Sequence, residues 1–431
     1  MKTSKSPTPG LCGPSHLTRR SLLQAAGLSG TTWLTPFADL LALDAERGKS
    51  RGKSVILLWL SGAPSQLETF DPHAGSPIAY GTTSIKTAAP GIELASSLEQ
   101  TAEIMSDISL IRSVVSREGD HQRAIYNIKT GYRPIPALRH PSIGAVVCHE
   151  LPNAAVEIPT HVSILPNQWP GRGGYLGAQY DAFQIGDPTK PLPDMRDRTS
   201  DERSENRLES LSVVEAAFAK GRHPDLDASK TLHVATVEKA RRMMTSDQLK
   251  AFDVTGETAE VRAAYGDTPF GRGCLAARRL VEAGVRCVEV TLGGWDSHVN
   301  NHESQAGRVA ILDPAFAMLI RDLKQRELLD NTVVLCGGEF GRTPKLNGLE
   351  GRDHWPHGFS LALAGGGIAG GRVVGATDPS GEKQAPDRPV PVADIHATIQ
   401  TVLGIDPQDE LMTTANRPLA LSEGKPVSEL L

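Results

Sequence analysis

The stretch GGWDSHVNNH (293–302) places one carboxylate and two imidazoles directly after the apolar run VRCVEVTL (285–292). Its titratable side chains are Asp296, His298 and His302. Oxygen and nitrogen donors together suit a first-row divalent metal such as Zn, Mn or Fe, whereas oxygen donors alone suit Mg or Ca. The same residue types also fit a solvated turn. The stretch therefore predicts either a metal site at the end of a strand or a polar loop.

Three further segments carry similar side chains beside apolar runs. They are SGAPSQLETFDP (61–72), GGEFGRTP (337–344) and GRDHWPHGF (351–359). The side chains in them that could bind a metal or an anion, or act as a nucleophile, are Ser65, Glu68, Asp71, Glu339, Arg342, Arg352, Asp353, His354 and His357.

Apolar runs rich in β-forming residues indicate the elements that position these side chains. The runs lie at 53–60, 109–114, 161–165, 285–292, 332–338 and 359–365, and the clearest helical pattern covers 303–328, where Pro314 should start or kink a segment. Alternating strands and helices predict an α/β fold with a doubly wound, largely parallel sheet and helices on both faces.

Ligands of such sheets bind beyond the carboxyl ends of the strands. We therefore expect one pocket to collect the carboxylates and imidazoles that adjoin buried strands, namely Asp296, His298, Glu339, Asp353 and His354. Three carboxylates beside two imidazoles repel one another unless a cation lies among them. A divalent metal ion is the simplest such cation.

The N-terminal segment LTRRSLLQAAGLSG (17–30) places Arg19 and Arg20 before a modest apolar stretch, as in a twin-arginine export signal. Gly, Thr and Pro interrupt this stretch too often for a stable membrane span. Residues 1–45 are thus expected to be a signal peptide and short linker, with a mature start between about 43 and 52. The protein would be periplasmic or otherwise exported, with the twin-arginine translocase as its partner during export.

Length and composition are those of an ordinary globular protein, with 431 residues, 39% hydrophobic and 22% charged. Residues 46–431 are expected to form a single domain, in which the charge-rich region at about 186–270 is a helical insertion. A net charge of −5 without a run of basic residues excludes a nucleic-acid groove. Five scattered cysteines exclude a disulfide scaffold, and Cys287 and Cys336 are expected to be buried.

The order of the motifs SGAPSQLETFDP, KTGYRP, GGWDSH, GGEFGRTP and GRDHWP resembles the DUF1501 family, whose members look like distant relatives of alkaline phosphatases and sulfatases. The resemblance implies an alkaline phosphatase-like core. It also implies that Asp296 and His298 are upstream metal ligands and that Glu339 takes the place of an aspartate ligand. By the same resemblance, His354 or His357 is the later histidine, and Asp71 or Glu68 is the carboxylate after the first strand.

Two departures from this pattern affect the expected chemistry. Phe340 stands where the wider superfamily has a histidine ligand, and the stretch DHQRAIYNIKTGYRP (120–134) puts His121 near the position of the nucleophile. The sequence contains no C-x-P-x-R motif, and CLAAR from Cys274 has the wrong spacing. A formylglycine sulfatase is therefore disfavoured.

The residue types leave several roles open. Attack could come from a metal-activated water or from the hydroxyl of Ser65 or Ser116. Asp120 and His121 could form a ligand pair, an acid/base pair, or a helix N-cap with a polar neighbour. Arg342 and Arg352 could bind an anionic ester in bidentate fashion or bind backbone carbonyls. Asp394 is expected to be the N-cap of the last helix.

These observations favour an exported metal-dependent hydrolase of phosphate or sulfate esters, with a small anionic ester as substrate and Zn, Mn, Mg or Ca as the metal. The alternative is a catalytically silent binding or scaffold protein that keeps the fold. A metal-dependent enzyme of another reaction type is a third reading.

Overall fold

The computed structural model describes residues 53–192, 195, 200–219, 236–237 and 239–431. The predicted signal peptide and linker at 1–45 lie outside the described residues. In chain order the strands are β1 (Ser54–Leu60), β2 (Ser84–Lys86), β3 (Glu93–Ala95), β4 (Ile108–Val115), β5 (His161–Ile164), β6 (Phe183–Ile185), β7 (Cys287–Leu292), β8 (Thr332–Gly337), β9 (Gly341–Arg342), β10 (His354–Trp355), β11 (Phe359–Ala364), β12 (Val373–Val374), β13 (Val390–Pro391), β14 (Glu410–Met412) and β15 (Pro418–Ala420).

The α-helices of the described chain connect these strands. They are α1 (Glu99–Glu103), α2 (His121–Thr130), α3 (Ile143–Glu150), α4 (Asp201–Ala219), α5 (Ala259–Ala264), α6 (Pro269–Glu282), α7 (Asn301–Gln325) and α8 (Val392–Val402). Within the described ranges, no helix is both long and apolar enough to cross a membrane.

A nine-stranded sheet has the order β12-β4-β11-β8-β1-β7-β5-β6, with β13 also beside β4. The pairs of β1 with β7 and β8, and of β5 with β6 and β7, are parallel. Strand β11 runs antiparallel to both neighbours, β4 and β8. The sheet is therefore mixed but largely parallel, and all six apolar runs of the sequence form strands in it.

Side chains of β1 alternate between the two faces of this sheet, because successive residues of a strand point in opposite directions. Ile56 and Leu58 join a core that includes residues of α6 and α7, whereas Val55 and Leu57 join a core that includes residues of α2, α3 and α8. The predicted doubly wound sheet with helices on both faces is confirmed. Cys287 and Cys336 are buried in it, as predicted.

Two local expectations differ from the structure. Helix α7 continues through Pro314, so no new helix starts at the proline, and Leu312 and Phe316 on either side of it are fully buried in the core. Helix α8 begins after Pro391, so Asp394 lies in its first turn and is not the N-cap. The carboxylate of Asp394 accepts a hydrogen bond from the backbone of Lys425 instead.

The region at about 186–270, predicted to be a helical insertion, has two parts. Helix α4 exposes most of its described side chains, including Val213 and Val214. The later part instead contributes to the core under the sheet, through the buried side chains of Met243, Phe252, Val254 and Tyr265. Only the first part is thus peripheral.

Candidate metal centre

The segments after β4, β7 and β8 meet at one edge of the sheet. The chain leaving β4 enters α2 at His121, and the chain leaving β7 carries Asp296 and His298. His354 precedes β11, and because β11 runs antiparallel to its neighbours, the start of that strand lies at the same edge as the ends of the others. Without that reversal, His354 would lie at the opposite edge.

Three imidazole nitrogens surround the carboxylate of Asp296. Nε2 of His298 lies 3.0 Å and Nε2 of His354 3.5 Å from Asp296 Oδ1. Nε2 of His121 lies 3.3 Å from Asp296 Oδ2. The Nε2 atoms of His298 and His354 are 3.0 Å apart. The ligand atoms of His121, Asp296 and His354 all lie within 4.8 Å of one another.

The other ring nitrogen of each histidine, Nδ1, lies beside an oxygen of an ionised carboxylate or of a backbone carbonyl. Such oxygens accept hydrogen bonds and cannot donate them. Nδ1 of His121 lies 2.6 Å from Glu339 Oε1, and Nδ1 of His298 lies 2.7 Å from Asp353 Oδ1. Nδ1 of His354 lies 2.8 Å from the carbonyl oxygen of Gly119. Each Nδ1 is therefore the hydrogen donor of its pair, and on a neutral ring the Nε2 lone pair, which can bind a metal, turns toward Asp296.

This donor set fits a divalent metal. Tetrahedral bonds of about 2.0 to 2.1 Å place donor atoms about 3.3 to 3.4 Å apart. The distances of 3.0, 3.3 and 3.5 Å from the Nε2 atoms to Asp296 are close to this, with His121 facing Oδ2 and the other two rings facing Oδ1. Nε2 of His121 is buried without a hydrogen-bond partner, although Asp296 is near, and the facing Nε2 atoms of His298 and His354 cannot both carry a hydrogen. Metal-binding histidines commonly donate their second nitrogen to a carboxylate or carbonyl, as all three do here.

Charge interactions in the centre favour ionised groups. The carboxylates of Asp296 and then Glu339 stabilise the charged ring and raise the pKa of His121 to about 9, so that without a metal this ring is protonated at neutral pH. Burial opposes ionisation of Asp296, but the imidazoles of His121 and His354 and the guanidinium of Arg342 outweigh it and hold the pKa of that carboxyl well below its usual range. The cluster thus attracts positive charge, which a proton or a metal ion can supply.

Glu339 and Asp353, both predicted as metal ligands, lie one layer farther out. Glu339 is fully buried, and its Oε1 also accepts a hydrogen bond of 3.0 Å from the backbone of Gly62. Asp353 is 55% exposed and is bound by Asn347 as well as by His298. Glu339 Oε1 and Asp353 Oδ1 are each bound to the Nδ1 of a histidine, which is how carboxylates commonly orient metal-binding rings, whereas Glu339 Oε2 is buried without a hydrogen-bond partner among the described residues.

Gly62 allows the segment after β1 to pass against this centre. Its φ of +105° is a left-handed conformation, and a Cβ atom there would lie 2.7 Å from the backbone nitrogen of Asp296. Glycine is the residue that adopts this backbone at no steric cost.

The two arginines left open by the sequence are both completely buried. Arg342 donates to the carbonyl oxygens of Ala63, Gly62 and Arg352 and, at 2.6 Å, to Asp296 Oδ1. Arg342 lies opposite His354 in the antiparallel β9–β10 pair. The register of this pair therefore sets the positions of both residues relative to each other. Its guanidinium holds Asp296 in place and has no exposed surface with which to bind an anion.

Arg352 is likewise used inside the protein. It donates to Glu68 Oε1 and to the carbonyl oxygens of Thr343, Pro344 and Ile78. The expected binding of an anionic ester by this pair therefore has no support in their geometry, because neither side chain is exposed.

Four other candidates lie apart from the three histidines. Asp71 is bound by Thr377 and His73 in a separate buried cluster. His302 lies 3.4 Å from Glu68, and His357 packs edge-on against Trp355. Ser65 is fully buried, and its hydroxyl has no hydrogen-bond partner within the part of the chain that the structure describes.

Some partners of the centre gave no signal in the sequence. The carbonyl of Gly119 acts through the backbone, which any residue could supply, and Asn347 lies in a polar loop without a distinctive motif. Asp120 proves to be the N-cap of α2, accepting a hydrogen bond from the backbone of Arg123, while His121 next to it joins the centre.

Comparison with known proteins gives one family and several distant structures. The family model described as "Protein of unknown function (DUF1501)" matches residues 52–431. No curated protein matches the chain.

Solved structures that resemble it include a sulfatase from Pseudoalteromonas sp., with 13% identity, a TM-score of 0.39, and coverage of 86% of this chain and 70% of that one. A protein in the alkaline phosphatase superfamily from Vibrio parahaemolyticus has 12% identity and a TM-score of 0.38, with 88% and 70% covered. The phosphonate monoester hydrolase of Agrobacterium radiobacter has 12% identity and a TM-score of 0.37, with 88% and 77% covered. The side chains of the centre carry the functional argument.

Proposed function

We propose that this chain, which belongs to the DUF1501 family, is a metal-dependent hydrolase of phosphate or sulfate esters. The observation that carries the proposal is the convergence of three Nε2 atoms on one carboxylate at a solvent-open edge of the sheet. Asp296 is 44% and His298 42% exposed, so a substrate can reach them.

His121, His298 and His354 would hold the metal, with Asp296 as the fourth donor. Three imidazoles favour Zn, Mn or Fe over Mg or Ca. A divalent metal held there would supply Lewis acidity, and it would make a water nucleophilic near neutral pH by taking that water as a fifth ligand, because four protein donors fill a tetrahedral site. Three neutral imidazoles and one carboxylate leave such a centre with a net positive charge, which suits an anionic ester.

The protein's own groups position this chemistry. Arg342 fixes Asp296 Oδ1 and leaves Oδ2 facing Nε2 of His121. Glu339 holds the ring of His121 through Nδ1 and stabilises positive charge on that ring. Ser65 is fully buried and Ser116 donates its hydroxyl hydrogen to Asn127, so water is the nucleophile that the geometry favours.

Phe340 supports a single metal ion in place of the pair found in the wider superfamily. Its ring packs 4.9 Å from that of His121 and 4.5 Å from that of His354, measured between centroids. An apolar ring therefore occupies a position where a second ion would need a donor.

The same observation favours the second candidate function, a silent binding protein that has kept one metal. Metal analysis of the purified protein, followed by assays on p-nitrophenyl phosphate and p-nitrophenyl sulfate, distinguishes the two. About one ion per chain with hydrolysis supports the enzyme. One ion without turnover of any ester supports the binding protein, and no metal would contradict both.

Export by the twin-arginine pathway is part of the proposal and rests on Arg19 and Arg20, which lie outside the described residues. Replacing both with Lys should leave the precursor in the cytoplasm, since recognition depends on the guanidinium pair. Cell fractionation measures this, and equal export of the Lys-Lys variant would contradict it.

A further inference from the structure

A cavity of about 1030 Å³ runs along one face of helix α2. We call it the α2 cavity. Its opposite wall is the loop at 167–174 that follows β5, and the lining includes Gln122, Lys129, Arg139, Gln168, Trp169 and Arg172. A phosphate or sulfate group alone needs far less space, since cavities of about 300 to 1000 Å³ hold whole organic ligands.

The α2 cavity begins beside the metal centre. Asp120 and Gln122 line it and flank His121 in the chain, so the first turn of α2 borders both sites. The opposite wall is tied to the centre as well, because Asn167 Nδ2 donates to Ser61 Oγ at 2.6 Å and the next residue, Gly62, binds Glu339. The two sites therefore share the first turn of α2 as a border, across which the leaving group of an ester at the metal would extend into this cavity.

Positive charge predominates in the lining, where four cationic side chains face two carboxylates. Arg123 is bound to Glu118, Lys129 to Glu289 and Arg172 to Asp181. Arg139 is exposed and has no ion-pair partner among the described residues. It is thus the cation with its hydrogen-bond donors still available for a ligand.

The remaining lining suits a polar ring. Trp169 offers a half-buried indole, and its backbone is fixed from both sides, by Asn167 Oδ1 and by the ammonium of Lys129. The amides of Gln122 and Gln168 are exposed on the same lining. Burial lowers the pKa of His140 to about 4, so that ring adds no charge at neutral pH.

We propose that the α2 cavity binds the leaving group of the ester, and that this group is an anionic sugar whose negative charge pairs with Arg139 and whose ring packs on Trp169. The statement about the leaving group rests on the proposed function, whereas the statement about ligand class can be tested without turnover.

The test is calorimetric titration of the metal-loaded protein with trigalacturonic acid, using maltotriose as a neutral trisaccharide of similar size. Wild type should bind the acid, and Arg139→Gln should weaken that binding at least about tenfold, the effect of one charge-assisted hydrogen bond. Arg207→Gln, on the exposed surface of α4, removes the same charge elsewhere and should leave binding unchanged. Maltotriose should bind at least about tenfold more weakly than the acid.

A second titration separates the cavity from the metal. Asp296→Asn protein should still bind trigalacturonic acid within about threefold of wild type. Failure of wild type to bind the acid, equal binding by Arg139→Gln, or loss of binding in Asp296→Asn would each overturn the proposal. Binding that behaves as expected, in a protein that hydrolyses no ester, would overturn the proposed function and retain the ligand class.

Discussion

Two acid–base pairs connect helix α2 to strand β7 and the segment that follows it, and they differ in how many other partners their side chains have. At the edge of the sheet, His121 from the start of α2 meets Asp296, which follows β7. Deeper in the protein, Lys129 near the end of α2 meets Glu289 within β7, at 3.0 Å. The two pairs join the same two elements about two turns of helix apart. We call His121–Asp296 the outer pair and Lys129–Glu289 the inner pair.

The inner pair is saturated with partners. Glu289 also accepts hydrogen bonds from the backbone of Gly171 and from Ser163, and Lys129 also donates to the carbonyl oxygen of Trp169. Both side chains are almost completely buried, at 1% and 6% exposure. Such a network fixes α2 and the loop at 167–174 against the sheet and has little left with which to bind a ligand.

The outer pair has unused capacity. Nε2 of His121 has no hydrogen-bond partner among the described residues, two more histidines bring their Nε2 atoms to the same carboxylate, and the cluster is partly open to solvent. Residue types alone do not separate these pairs, since each joins one carboxylate to one base. Imidazole nitrogens without a hydrogen-bond partner at a solvent-exposed edge distinguish a candidate metal site from an ion pair that only stabilises the fold.

The largest expected effect is loss of metal from the outer pair. Asp296→Asn keeps an oxygen for Arg342 but removes the charge that faces three imidazoles, so metal content should fall from about one ion per chain to background, together with any ester hydrolysis. Elemental analysis of the purified protein measures this. Circular dichroism should show an unchanged fold, and full metal retention in a folded variant would contradict the assignment.

Breaking the inner pair should act on stability instead. Glu289→Gln leaves the ammonium of Lys129 buried without its counter-ion, which should lower the free energy of unfolding by about 3 to 5 kcal/mol. Metal stoichiometry of the folded protein should remain unchanged. The matched double variant Lys129→Met with Glu289→Leu should recover most of the loss, since no buried charge remains. Urea unfolding measures all three proteins, and a metal-free but stable Glu289→Gln variant would reverse the comparison.

The same pair predicts a dependence of stability on acid. Burial opposes ionisation of Glu289, but Lys129 and His161 outweigh it and lower the pKa of Glu289 from 4.5 to about 2. The pKa is depressed in the folded state, so this contribution is present above pH 4.5 and is lost as the pH falls from about 4.5 to about 2. It amounts to about 3 kcal/mol. Unfolding free energies measured between pH 6 and 3 should fall more steeply for wild type than for Glu289→Gln, and equal slopes would contradict the assignment.

A smaller effect is expected in the layer around the metal ligands. Asp353→Asn keeps the side-chain shape but weakens the acceptor for Nδ1 of His298, which should reduce metal affinity about 10- to 100-fold. Competition with a chelator measures the affinity. Asp378→Asn, an exposed carboxylate bound within its own loop, is the control and should not change it. Complete loss of metal would make Asp353 a ligand itself.

The strands were predictable from sequence because runs such as VILLWL (55–60) are apolar throughout, which is typical of strands buried on both faces. Asp296, His298 and His354 were also predictable as neighbours, since they adjoin such runs. The reversal of β11 was not, because an apolar run gives no direction, and that reversal brings His354 to the edge. The contact of Glu339 with Nδ1 of His121 was not predictable either, because it depends on interatomic distances that the order of residue types in the sequence does not determine.

The smallest expected effect concerns Asp120, which caps helix α2, whereas the next residue, His121, belongs to the metal centre. Its carboxylate accepts a hydrogen bond of 3.1 Å from the backbone of Arg123 and so caps the helix that carries His121. Asp120→Ala should lower the free energy of unfolding by about 1 kcal/mol through loss of the cap, and Asp120→Asn, which can still cap, by less. Both variants should keep about one metal ion per chain, whereas His121→Ala should not, because only the imidazole points toward Asp296. Urea unfolding and metal analysis of the three proteins test this. Loss of metal in Asp120→Asn would show that Asp120 is a metal ligand together with His121 and does not act only as the helix cap.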